Sequence, residues 1–344
     1  MSHFEIDWET VSLRLKNVFT ISRSSRSEVP VVILSITKDG ITGYGEASPN
    51  SRYKESSETV IKYFKNIPTH FWGEIEAPET LPQTIAELEK PVVYSAQAAI
   101  EMAWLDWWAK SQKQSLWKLW GHESPVGPVT SYTIGIDSPS IMQQKVRDAS
   151  EFPVYKIKLG TDQDREIIEA IREVTDKPLR IDANEGWKTV DQAKREIEFL
   201  ATQNVELIEQ PMPASELELM KKLKGWSPLP LAADESFTGT ENLEEIAEAF
   251  HIINIKLMKI GSLIKAREVI QQAKKMKLKV MIGCMIESSL ANAAGTLVAL
   301  QADYADLDGH LLISNDPFSG LKVNADYRVC LSEEPGFGVE RVSL

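Results

Sequence analysis

Hydrophobic and polar positions change their rhythm near residue 128. Before that point, "VPVVILSITKDGITGYGEASP" sets two apolar runs around a Lys-Asp-Gly turn, the pattern of a β-hairpin. "SAQAAIEMAWLDWWAKSQKQSLWKLWG" then places apolar residues at helical spacing, with Ser95 expected as the N-cap and Gly121 as the stop. Residues 1–120 are therefore expected to form an α+β unit. Beyond it, short apolar runs alternate with helical segments. The runs are "VTSYTIGI", "VYKIKLG", "LRIDANEGW", "VELIEQP", "LPLAADES", "IINIKLM", "KVMIGCMIESS" and "YADLDGH". Amphipathic stretches such as "VDQAKREIEFLATQ" and "NLEEIAEAFH" lie between them. Strands joined by helical crossovers make a parallel sheet, so eight units predict an α/β fold of the (β/α)8 barrel type over residues 121–316. Residues 317–344 are too few for a domain and are expected to pack back on the N-terminal unit.

The predicted strands end in polar residues that do not fit the apolar pattern. They are Lys156 and Lys158, then Asp182 with Asn184, Glu209, Asp234 with Glu235, Lys256, and Asp306 with Asp308. Steps of 27, 25 and 22 residues separate positions 182, 209, 234 and 256, about one βα unit each. In a barrel such residues converge on the C-terminal rim, where catalytic groups gather. Asp182, Glu209 and Asp234 would then sit on three neighbouring strands. They offer only oxygen, a donor set that favours Mg²⁺ over Zn²⁺. Capping of the following helices is the competing role for such acids.

Side chains two apart on a strand share a face, so Lys156 and Lys158 point together into low dielectric, where cations need opposing charge. A substrate carboxylate is the expected counter-charge, with Lys156 as an electrostatic stabiliser of its oxygens. Lys158 on the second strand and Lys256 on the sixth would face each other across the mouth. A divalent cation nearby would lower a lysine pKa and make it a usable base. Two such groups on opposite faces of one carbon can invert a stereocentre.

Composition narrows the classes. The chain has 344 residues, 43% hydrophobic and 26% charged, as in a soluble globular protein. A net charge of −12 argues against nucleic-acid or anionic-membrane partners. Two cysteines, Cys284 and Cys330, make no disulfide framework and suit a reducing compartment. The polar start "MSHFEIDWET" is no signal peptide, and no apolar run approaches the roughly 18 residues of a membrane span. A cytoplasmic location is expected. The five histidines are scattered, which disfavours a zinc hydrolase.

Taken together, "KIKLG", "IDANEGW", "IEQP", "ADES" and "NIKLMKIG" resemble the enolase superfamily, in its muconate-lactonizing-enzyme-like group, over nearly the whole chain. The resemblance implies a modified TIM barrel of (β/α)7β type with an N-terminal α+β capping domain. It implies one Mg²⁺ per subunit on Asp182, Glu209 and Asp234, and a Lys158/Lys256 acid–base pair; a Lys or His base with Mg²⁺ is characteristic of such sites. "ADLDGH" resembles the dipeptide epimerases, in which Asp306 and Asp308 would bind the substrate α-ammonium. A buried salt-bridge or capping pair is the competing role. "MIGCMIESS" and "ISRSSRSE" are similar to enzymes acting on L-Ala-D/L-Glu, with Ile286 meeting the dipeptide through its backbone and Thr133 lining the site. Arg26 is the candidate partner of a glutamate side chain, with Arg23 and Arg52 competing. The chain departs from the pattern at Gly261-Ser262, where a second glycine is common, and at His310, which bears on substrate preference. The expected activity is 1,1-proton transfer through an enediolate. The rivals are o-succinylbenzoate synthase, N-succinylamino-acid racemase and muconate cycloisomerase, whose substrates lack a free α-ammonium, and a silent metal or peptide binder. Family members often form homo-oligomers, and the sequence shows no interface.

Overall fold

The Asp39-Gly40 turn has φ of 53° and 75°, a left-handed pair that matches the twist of the strands it joins. The computed structural model describes residues 3–88 and 91–342. Three antiparallel strands open it: β1 (Glu5–Ile21), β2 (Ser24–Lys38) and β3 (Ile41–Ala47), in the order β1-β2-β3. The helix Tyr94–Ser111 lies against β3 so closely that a Cβ on Gly45 would fall 1.9 Å from the Ala99 carbonyl. Gly43 meets the Ala103 carbonyl in the same way, at 2.2 Å, so bare backbone and an alanine-rich helix face set the packing distance.

Ser95 is not the N-cap of this helix. It lies inside the first turn, and Glu55 caps instead, accepting from the backbone N–H of Tyr94 (2.6 Å) and Ser95 (3.2 Å). A longer acceptor from another segment reaches donors that the serine cannot. The segment also breaks after Ser111, where Lys113 takes φ of 54°, and a second short helix, Leu116–Leu119, is the one that Gly121 stops.

Each of the eight predicted runs holds one strand of an eight-stranded parallel sheet. After β4 (Val126–Val129), they are β5 (Tyr132–Ile134), β6 (Tyr155–Lys158), β7 (Leu179–Asp182), β8 (Val205–Glu209), β9 (Leu231–Ala233), β10 (Ile252–Lys256), β11 (Lys279–Gly283) and β12 (Tyr304–Asp306). They neighbour one another in chain order. The first and last meet through a parallel bridge, Thr130 to Ala305, which brings the barrel to near closure. Helices follow the first seven strands, whereas β12 leads only into a 3₁₀ turn at Gly309–Leu311, which makes this a (β/α)7β barrel. β6, β7 and β10 are buried along their whole length, so the charged residues they carry, Lys156, Lys158, Arg180, Asp182 and Lys256, are buried too and need partners inside the protein.

Residues 317–342 contribute short strands. β14 (Lys322–Val323) and β15 (Arg328–Cys330) join β4 in an antiparallel sheet, and β13 (Phe318–Ser319) pairs with β16 (Glu340–Arg341). Gly336 exchanges backbone hydrogen bonds with Gln114 and Leu116, and Phe337 N–H donates to Asp106 at 3.1 Å. Among the described residues, no helix is long and apolar enough to cross a membrane.

Candidate active site

The parallel register stacks the ends of β6, β7 and β8 side by side: Lys158 is opposite Asp182, and Asp182 is opposite Glu209. Asp182, Glu209 and Asp234 are buried, and one carboxylate oxygen from each lies within 4.8 Å of the others. Lys158 Nζ donates to Asp182 Oδ2 at 2.6 Å and Lys256 Nζ to Asp234 Oδ2 at 2.8 Å. Each lysine therefore meets a different member of the triad. The strands that carry them, β6 and β10, stand four places apart in an eight-stranded ring, on opposite sides of the mouth.

Lys156 meets its counter-charge inside the protein. Its ammonium lies 2.7 Å from Glu209 Oε2, 2.7 Å from Asp306 Oδ2 and 3.1 Å from Asp182 Oδ2. The expectation that a substrate carboxylate faces it gives way to a buried cross-link between the triad and β12. Burial disfavours the Lys156 charge, but the surrounding carboxylates overcome this and raise its pKa well above the usual lysine value.

With only the protein's own groups around it, Lys256 behaves like Lys156. Burial opposes its charge, yet Asp234 and Glu209 outweigh burial and Lys156, so its pKa is raised; a divalent cation on the triad would oppose that rise. The protein's own acids dominate the local field. Asp234 is held well below the carboxylate range because Lys256 and Lys259 outweigh its burial. Glu209 is pushed up to about 7 by burial and by Asp182.

No ligand reading of the sequence singled out Lys259, although it stands in "NIKLMKIG". It is almost wholly buried. Its ammonium donates to Asp234 Oδ1 (2.7 Å) and to the carbonyls of Asp234 (2.6 Å) and Phe237 (2.8 Å). Asp234 thus has Oδ1 fixed from behind and Oδ2 turned to the site. The only signal available was a lysine one helical turn beyond Lys256. Tyr53 was also missed; it lines the cavity from the loop after β3, where the sequence is simply polar.

Asp234 of the triad lines a cavity of about 320 Å³, together with Lys156, Lys158, Lys256, Thr133, Asp306 and Asp308 among others. Asp306 accepts from Ser131 Oγ and Lys156, each at 2.7 Å. Asp308 lies past the end of β12, not on it, and accepts from the Thr133 backbone N–H at 2.6 Å. Burial and the charge of Asp306 push Asp308 up to about 7. A cationic ligand group would relieve both effects.

Two segments of the N-terminal unit roof the cavity. Arg26 lines it from β2, where its backbone pairs with Phe19, and its side chain makes no hydrogen bond or ion pair among the described residues. Arg23 and Arg52 are engaged: Arg23 lies 2.7 Å from Glu235 and 3.6 Å from Glu185, and Arg52 lies 2.7 Å from Glu185. Ile286 lines the cavity, and its carbonyl accepts from Ser48 Oγ at 2.9 Å. His310 is not among the lining residues; burial and nearby Lys16 lower its pKa to about 4.

A nearly closed barrel with a buried triad of acids, flanked by lysines and roofed by a separate α+β unit, defines an enolase-type enzyme barrel. The triad fits Mg²⁺: three clustered carboxylates, no nitrogen or sulfur donor, and room for further oxygen ligands toward the cavity. Residues 6–121 match the mandelate racemase / muconate lactonizing enzyme N-terminal domain, and residues 142–341 match the enolase C-terminal domain-like family. The chain belongs to the mandelate racemase / muconate lactonizing enzyme family of the enolase superfamily. It is 38% identical over 331 residues to an L-Ala-D/L-Glu epimerase of Bacteroides thetaiotaomicron, covering 96% of this chain and 86% of the relative. It is 37% identical to an L-Ala-D/L-amino acid epimerase of Maribacter, covering 97% and 98%. A substrate-liganded L-Ala-D/L-Glu epimerase from Bacillus subtilis superposes with a TM-score of 0.90 at 27% identity over the full length of both chains. A dipeptide epimerase from Enterococcus faecalis, complexed with Mg and L-Leu-L-Tyr, also gives 0.90, at 29% identity over 99% of this chain and 100% of that one.

Proposed function

We propose that the protein is a Mg²⁺-dependent dipeptide epimerase that inverts the C-terminal residue of L-Ala-X dipeptides, with X glutamate. One observation carries the reading. Two lysines on opposite sides of one cavity each pair with a different triad acid, and the Asp306/Asp308 pair faces the same space. The named relatives above support it.

A bound cation would draw electron density onto the substrate carboxylate and make the α-carbon more acidic. One lysine, as the neutral amine, takes the α-proton: the Cα–H bond breaks, an N–H bond forms, and the electron pair enters the carboxylate to give an enediolate. The other lysine, as the ammonium, returns a proton to the opposite face. Lys158 and Lys256 exchange these roles with the direction of reaction. Lys156 keeps positive charge among Asp182, Glu209 and Asp306 and so holds the acids together. Asp306 and Asp308 receive the α-ammonium, with Thr133 and Ile286 lining the dipeptide's path. Arg26, the unpaired one of the three lip arginines, receives the γ-carboxylate. Residues 1–120 act as the capping domain, 121–316 as the barrel and 317–344 as a segment that ties back to the cap. On this reading the enzyme acts in the cytoplasm, in the recycling of murein peptides.

Incubation with dipeptides and Mg²⁺ in D₂O, followed by mass spectrometry, tests this directly. Deuterium should enter the α-position of L-Ala-L-Glu and L-Ala-D-Glu. Exchange confined to apolar or cationic dipeptides would keep the proton-transfer scheme and discard glutamate. Exchange confined to N-succinylamino acids would remove the ammonium role of Asp306 and Asp308.

A further inference from the structure

Two buried acceptor atoms beside the triad meet no donor among the described residues: Asn184 Oδ1 and Glu235 Oε2. Both residues are only 5% exposed. An unmatched buried acceptor loses its hydration without replacement, so a pair of them at one place calls for an external donor. The surroundings fix both orientations. Asn184 follows β7, and its backbone N–H donates to Asp182 Oδ1 at 3.0 Å. Its amide Nδ2 lies 3.5 Å from Glu235 Oε1, which leaves Oδ1 as the free end, and Asn184 lines the cavity. Glu235 follows Asp234 in the chain, and Arg23 takes its Oε1 at 2.7 Å, which leaves Oε2. Both residues are thus anchored to a triad acid, one by a hydrogen bond and one by the chain itself.

The donor they call for has definite chemistry. Mg²⁺ takes six ligands and releases water reluctantly, so a site with three carboxylates keeps water on the ion, and those waters donate strongly. We propose that Asn184 and Glu235 form an outer acceptor pair that takes hydrogen bonds from water molecules on the cation held by Asp182, Glu209 and Asp234. The proposal rests on the metal reading of the triad. It adds two residues that strengthen cation binding without ligating it, before any substrate arrives. Through Arg23, the same carboxylate also joins the lip over the cavity to the surroundings of the ion.

Calorimetric titration of the metal-stripped protein with MgCl₂, without substrate, tests the pair. Asn184 has φ of 44°, so Asn184→Gly removes the acceptor with no backbone strain. It should weaken Mg²⁺ binding about tenfold, the lower end of what outer partners contribute. Asn184→Asp keeps an oxygen there and should bind at least as tightly as the natural protein. Glu235→Gln should also weaken binding at least tenfold. Its carbonyl oxygen stays with Arg23, so an N–H donor replaces Oε2 and faces the water's own hydrogens. Thermal unfolding of each stripped variant checks the fold. Unchanged Mg²⁺ affinity in Asn184→Gly, with only KM raised, would assign the residue to substrate and overturn the proposal. So would complete loss of binding in a folded variant, which would make Asn184 a direct ligand. Failure of the natural protein to bind Mg²⁺ would instead remove the metal reading beneath it.

Discussion

The strand ends of the barrel and the lip above them hold charge in opposite ways. On the barrel side, Lys156, Lys158, Lys256 and Lys259 are all buried and each is locked to carboxylates of a neighbouring strand. On the lip, Arg23 and Arg52 have side chains about a third exposed (36% and 39%), and the Arg26 side chain has no partner among the described residues. Rigid cross-linked charge suits groups that must meet a reacting carbon within a fraction of an ångström. Exposed, loosely held charge suits recognition of a variable side chain. The comparison therefore separates reaction from selectivity, and substitutions on the two sides should fail differently.

The largest effect should come from the barrel lysines. Lys158→Ala and Lys256→Ala should each abolish epimerisation of L-Ala-Glu, followed by polarimetry, whichever dipeptide is supplied. Each variant should still exchange the α-proton of one epimer with D₂O. Full activity in either would end the two-base scheme. Chelation comes next. EDTA should remove activity and added Mg²⁺ restore it, while Asp234→Asn should stay inactive at any Mg²⁺ concentration tested. An Asp234→Asn protein as active as the natural one would free the triad from metal binding.

The lip should give a smaller and selective loss. Arg26→Ala should lower kcat/KM for L-Ala-Glu by about 10- to 100-fold, the range for one charged hydrogen-bonding partner, and leave L-Ala-Leu nearly unchanged. Equal loss on both substrates would pass the selectivity role to Arg23 or Arg52.

The smallest effect concerns stability at the seam between the two regions. Glu46, on β3, accepts from the Ser288 backbone N–H and hydroxyl, and burial pushes its pKa up to about 8. A carboxyl raised in the folded state carries no penalty below its unfolded pKa near 4.5. The penalty grows as pH climbs toward 8, where the buried group must ionise. Glu46→Gln should therefore melt higher relative to the natural protein at pH 9 than at pH 5. Parallel melting curves at both pH values would count against a protonated Glu46.

What the sequence reveals follows from how strongly a position is constrained. Strands covered on both faces must be apolar, so "LRID" and "IINIK" stand out, and the acids and lysines that end them stand out further. Other features depend on partners distant in the chain. Glu55 caps a helix that starts at Tyr94, a service that no local pattern announces, and Ser95 is the more obvious but wrong choice. Lys156 finds its counter-charge on β7, β8 and β12 at once, which appears only when the barrel closes. The rise in the Lys256 pKa has the same origin, because it sums several buried charges. Among the lip arginines, sequence position could not say which was free, since Glu185 and Glu235 approach from the opposite unit.

Asp106 collects strands of chain made far apart in time. It accepts from Tyr44 N–H at 3.0 Å, from Lys110 Nζ at 2.6 Å and from Phe337 N–H at 3.1 Å. During synthesis, the helix that carries it is finished more than two hundred residues before its last donor exists. Until then this carboxylate is short of one partner; β12, which closes the barrel, and β15, which pairs with β4, are made only shortly before it, at Tyr304–Asp306 and Arg328–Cys330. The first third of the chain thus leaves the ribosome as an unfinished surface that residues made more than two hundred positions later complete. A nascent chain stalled before residue 336 should hold that surface open to chaperones, and emergence of Gly336 and Phe337 should close it.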